Sequence, residues 1–72
     1  MMWEHLHRTR KGVDIWRQRI AGRVSFEYDI TMADGSGGTR EPHGVHTHTS
    51  MRAAREAASR AGNMAAHLNR PH

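Results

Sequence analysis

Residues 24–32 alternate without a break: Val24, Phe26, Tyr28, Ile30 and Met32 on one side, Ser25, Glu27, Asp29 and Thr31 on the other. A two-residue period of this kind predicts a half-buried β-strand. Two glycine-bearing triplets, Arg10-Lys11-Gly12 and Ala21-Gly22-Arg23, punctuate the chain before it. Glycine supplies the positive φ that three-residue hairpin loops need. The triplets therefore predict an antiparallel meander with strands at about residues 2–9, 13–20 and 24–32.

Taken as loops, the triplets also set a register. Ile20 then opposes Val24, Gln18 opposes Phe26, Trp16 opposes Tyr28, and Arg17 meets Glu27. In the first hairpin Arg8 meets Asp14, Leu6 meets Trp16 and Met2 meets Ile20. Both hairpins place Met2, Leu6, Trp16, Ile20, Val24, Phe26, Tyr28 and Ile30 on one apolar face, an agreement that matters because a one-residue slip inverts a strand. Trp3, His5, His7, Ile15, Arg17, Arg19, Glu27 and Asp29 fall on the outer face.

Residues 33–44 hold four Gly and one Pro and read as a flexible loop. Val45–His48 has the composition of a short fourth strand. A helix over about residues 50–67 follows, capped by Thr49 or Ser50, rich in Ala and free of β-branched residues. Met51, Ala54, Ala58, Ala61, Ala65 and Leu68 share one side of it. Gly62-Asn63 is a point where it is expected to fray or stop. Strands followed by a helix opening Thr49-x-x-x-x-Ala54-x-x-Ala57 resemble, over about residues 13–66, the small arm-binding domains at the front of phage-type integrases. That resemblance implies a three-stranded sheet that reads DNA, and it assigns no residue here.

Composition narrows the function. The 72 residues contain no Cys, which removes disulfides, thiolate catalysis and cysteine-bound zinc and points to a cytoplasmic setting. No run is apolar enough to span a membrane. The large apolar residues are few for a core, so a homodimer is expected to add burial. The net charge of +4 is patterned. Residues 1–23 carry Arg8, Arg10, Lys11, Arg17, Arg19 and Arg23 against Glu4 and Asp14; residues 24–49 carry Arg40 against Glu27, Asp29, Asp34 and Glu41. The last segment is basic again, and the 7 His make the total depend on pH.

Arginine presents a fork of donors suited to phosphate, and aromatic side chains on an open sheet face stack on bases. Trp3, His5, His7, Arg8, Arg10, Lys11, Arg17 and Arg19 are therefore the candidate contact residues. His5/His7 and His46/His48 are His-x-His pairs that a regular strand would turn to one side, and the two pairs would converge if the first and fourth strands were neighbours. Without a carboxylate or Cys at ligand spacing they read as surface histidines, so no metal or other cofactor is expected. Asp34-Gly35-Ser36-Gly37-Gly38 lacks the later bidentate Glu of a calcium loop, and no phosphate loop or paired-carboxylate motif is present.

The sequence thus predicts a single α+β domain over 1–72: a small three- or four-stranded antiparallel meander packed against one long C-terminal helix. Its expected role is that of a non-enzymatic accessory protein binding nucleic acid or a nucleoprotein complex through Arg, His and Trp. The alternative is a protein-binding inhibitor or adaptor of the phage or mobile-element type, acting on a host complex. The mixed-sign surface motivates it.

Overall fold

A computed structural model describes residues 3–44 and 47–68. Strands β1 (Glu4–Arg8), β2 (Val13–Arg19) and β3 (Phe26–Met32) precede one helix, α1 (Met51–Leu68). The strands form an antiparallel sheet in the order β1-β2-β3, with α1 packed across β2 and β3. This is the expected α+β meander and helix. Met2, Val45 and His46, to which the sequence assigned strand positions, lie outside the described residues.

The β2–β3 register differs by one residue from the expectation. Ile15 pairs with Ile30, Arg17 with Tyr28 and Arg19 with Phe26. The turn is longer than the glycine triplet suggested: the Ile20 N–H donates to the Ser25 carbonyl at 3.0 Å, so Ala21–Val24 form a four-residue loop. Gly22 supplies a φ of 74° inside it, and Val24, at 88% exposed, belongs to the turn. The slip inverts β2 relative to β3. Val13 and Ile15, both fully buried, now face the helix, while Trp16 points away from it.

The core therefore forms between Val13 and Ile15 of the sheet and Ala54 and Ala58 of α1, with Leu6, Tyr28, Ile30, Met51 and Ala61 around it. Alanines bury little area each, but they let the helix axis come close to the strands. Leu68, expected on this stripe, is instead 74% exposed at the helix end. Ser50 is the cap, accepting the Ala53 N–H on its hydroxyl at 3.1 Å.

Gly62-Asn63 does not end the helix. A β-carbon built at Gly62 would lie 2.8 Å from Lys11 Cβ, and Lys11 Nζ donates to Asn63 Oδ1. The pair is where the β1–β2 turn docks on α1. Gly62→Ala would gain about 1 kcal/mol of helix propensity but incur about 1–3 kcal/mol of overpacking. We expect a net loss, with Tm lowered by about 5 °C in thermal unfolding followed by circular dichroism.

In β1 the expected Arg8–Asp14 pair is present, and His7 pairs with Ile15. A β-bulge then consumes Leu6, so that His5 pairs with Trp16 and Glu4 with Arg17. Leu6 does not meet Trp16 as the regular ladder required.

The segment 33–44 is not a free connector. The Gly38 carbonyl accepts from Arg8 Nη2 at 2.8 Å, Pro42 is buried, and Gly44 lies against Trp3, where a β-carbon would be 3.4 Å from Cζ2. It runs over the sheet face opposite the helix, where Trp16 is only 4% exposed and Asp14, Gln18 and Asp29 are buried. The result is a helix, a sheet and a folded loop in three layers, with β2 buried on both sides. The fourth strand reduces, among the described residues, to one antiparallel bridge between His48 and Tyr28.

Candidate nucleic-acid interface

The eight candidate contact residues do not form one surface. Three lie on the loop-covered face. Trp3 is half-buried against Gly44. Arg8 gives Asp14 two hydrogen bonds, Nε to Oδ1 at 2.9 Å and Nη2 to Oδ2 at 3.0 Å. His5 Nε2 lies 2.9 Å from the same Oδ1, and its ring meets the Trp16 indole edge-on, with centroids 4.9 Å apart. Hydrogen bonding from Arg8, aided by His5, holds the Asp14 carboxyl below the usual carboxylate range although burial opposes it. These side chains build the layer between sheet and loop. The loop covers Trp16 on the face read from the sequence as open, while the His5 and Arg8 side chains stay 33% and 34% exposed.

His5 and His7 also part company. The bulge at Leu6 sends His5 to the Trp16 side and His7 to the Ile15 side, so they cannot jointly hold an ion. His48 bridges β3, at the sheet edge farthest from β1. No cluster of three metal-ligating side chains occurs among the described residues.

The helix side gathers the rest. Arg17 and Arg19 stand at the β2–β3 turn end. Arg17 bonds Glu4 at 2.8 Å, not Glu27, which is instead the partner of Gln18. Both guanidiniums lie over the Phe26 ring, at 4.6 and 5.4 Å from its centroid. At the other end, His7, Arg10 and Lys11 border a groove of about 380 Å³ between the β1–β2 turn and α1. Its remaining lining is Thr9, Ile15, Arg55, Ala58 and Ser59.

No protein-family model matches this chain, and no curated protein or solved structure matches it. The groove must therefore be read from its own chemistry.

Gly12, with a φ of 80°, closes the β1–β2 turn and donates its N–H to the Thr9 carbonyl at 3.0 Å, which projects Arg10 and Lys11 toward the helix. Arg55 and Ser59 are one helical turn apart and flank the buried Ala54–Ala58 stripe. The groove then has a buried apolar floor, Ile15 and Ala58, beneath three cations, two hydroxyls and one imidazole. No carboxylate lines it among the described residues.

Arg55, Ser59 and Thr9 were not among the sequence candidates. Their signal was present: Arg55 and Ser59 are spaced i, i+4 beside the small-residue stripe, and Gly62 marks where a turn could reach the helix. What the sequence left open was which turn that would be.

Proposed function

We propose that this chain is a small non-enzymatic protein that binds nucleic acid, gripping the phosphate backbone in the groove between the β1–β2 turn and α1. One observation carries the reading. Arg10, Lys11 and Arg55 converge on a groove with hydroxyl donors at hand and no acidic lining among the described residues. A cluster of exposed cations with no counter-charge among the described lining residues is suited to a polyanion, because binding releases the counter-ions condensed on it. Lys11 is already held by Asn63, a neutral partner that leaves its charge uncompensated.

Fluorescence-anisotropy titrations with labelled DNA and RNA at several salt concentrations test this. Three phosphate contacts give a slope of log K against log salt of about −2 to −3. Arg55→Gln is expected to lower affinity for every sequence alike and to make the slope shallower by about 1. Binding that ignores salt, or a slope unchanged in the variant, would remove the groove from the reading.

The second reading is a protein-binding inhibitor or adaptor acting on a host complex. Its support is the end of α1, where Met64 and Leu68 lie at i, i+4 and are 66% and 74% exposed. The same patch is where a homodimer would add burial to a thin core. A lysate partner that survives nuclease treatment and is lost in Met64→Ser would favour this reading. No helix among the described residues is long and apolar enough to cross a membrane.

A further inference from the structure

The helix does not cover the whole sheet. Its buried contacts are with Val13 and Ile15 and with the neighbouring Tyr28 and Ile30, which leaves the β2–β3 turn end of the same face outside the core. There Arg19 is the cross-strand partner of Phe26, and Arg17 that of Tyr28. The Phe26 ring, half-exposed, has the Arg17 guanidinium carbon 4.6 Å from its centroid and that of Arg19 at 5.4 Å. We infer that this end is a stacking platform for unpaired bases, which makes single-stranded nucleic acid the preferred ligand.

The inference rests on the groove being a phosphate site, and three features carry it further. Glu4 bonds Arg17 at 2.8 Å, which places one guanidinium beside the ring before any ligand arrives. Bases stack on guanidinium planes as well as on aromatic rings, and a platform already in place avoids the entropy of ordering it. Arg17 is paired with Glu4, but Arg19 and Arg23 are exposed nearby. The platform thus has cations of its own for the phosphates between stacked bases. Finally, β2 joins the two places. Val13 at the groove end and Arg19 at the platform are six residues apart, roughly 20 Å at the usual rise per residue. One flexible strand can lie across both. A duplex keeps its base faces stacked inside and can use only the groove.

The test compares a labelled oligothymidylate with a mixed-sequence duplex, by anisotropy, for the wild-type chain and for Phe26→Leu, Arg19→Gln and Arg55→Gln. Phe26→Leu keeps an apolar side chain on the sheet, and Arg19 is exposed, so Arg19→Gln reports even if the first variant is unstable. Phe26→Leu is expected to weaken single-strand binding roughly tenfold and duplex binding less than twofold. Arg19→Gln should also lose more on the single strand than on the duplex, whereas Arg55→Gln should lose equally on both. In an amide-shift titration of the wild-type chain, oligothymidylate should move residues 17–28 and duplex should not. Equal losses on the two forms, or single-strand affinity untouched by both platform variants, would overturn the platform and leave the groove standing. A wild-type chain that binds neither form overturns the groove reading and the platform with it. If residues 17–28 instead respond only to a protein partner, the platform is a protein contact and the inference fails.

Discussion

Ile15→Ala is expected to lower the unfolding free energy by about 3 kcal/mol. The alternation expected from the sequence puts Ile15 on the face away from the helix, but in the structure it is fully buried, beside Ile30 and in one cluster with Ala54 and Ala58. Its loss leaves a cavity lined by small helix residues that cannot collapse far, because Gly62 already sits against Lys11. A domain of this size holds only about 3–5 kcal/mol in total, so the variant should be largely unfolded at room temperature. Urea denaturation followed by far-ultraviolet circular dichroism measures it. A variant as stable as wild type would mean that β2 presents its other face to the helix. The outcome decides the register.

The second large effect belongs to Asp14→Asn. The carboxylate is 1% exposed and takes two hydrogen bonds from Arg8, with His5 Nε2 on the same oxygen as the first. Charge-assisted bonds of this kind are worth roughly 1.5–3 kcal/mol, and we expect a loss of about 2 kcal/mol at pH 7 because Arg8, released, still reaches water. The pH dependence has a definite sign. The folded state holds the Asp14 carboxyl below its unfolded value of about 3.9, so the contribution is present in full above that value. It fades as pH falls below about 4 toward the depressed folded value. The gap between wild type and variant should therefore be widest at neutral pH and close in acid. Urea midpoints at pH 7 and pH 3 report it. Arg8 also anchors Gly38, so the variant should loosen the loop and shift Trp16 emission to the red.

The elements themselves were legible in the sequence, and the reasons are local. The alternation of 24–32, the two glycine turns and the Ala-rich run from Met51 each determine a short segment almost alone. Register was not legible, because β2 reads Val-Asp-Ile-Trp and offers an apolar residue to either face. Trp16 is the larger, and choosing it for the helix side is sound only if the other face is wet. That face is covered by residues 33–44, whose composition says loop and says nothing of where the loop lies. The cost to the site was direct. Trp3, His5 and Arg8 looked available and are engaged with the loop layer, whereas His7, Arg17 and Arg19, expected on the face away from the helix, lie on the helix side, and Arg10 and Lys11 stand at the opposite end of the sheet from Arg17 and Arg19. Arg55 emerged only when the helix was docked.

The bulge at Leu6 gives β1 a residue to spare. Deleting that one residue would join His5 to His7 in a regular ladder without changing a partner: His5 would still meet Trp16, and Glu4 would still meet Arg17. The loss would be one half-buried leucine that packs against the core. Removing Thr9 or Arg10 instead would drag the whole strand past β2 and reverse it. Length variation among descendants of this chain should thus be absorbed at Leu6 and resisted in the turn beside it, and a homologue one residue shorter at that point would keep every side chain of β1 on its present side.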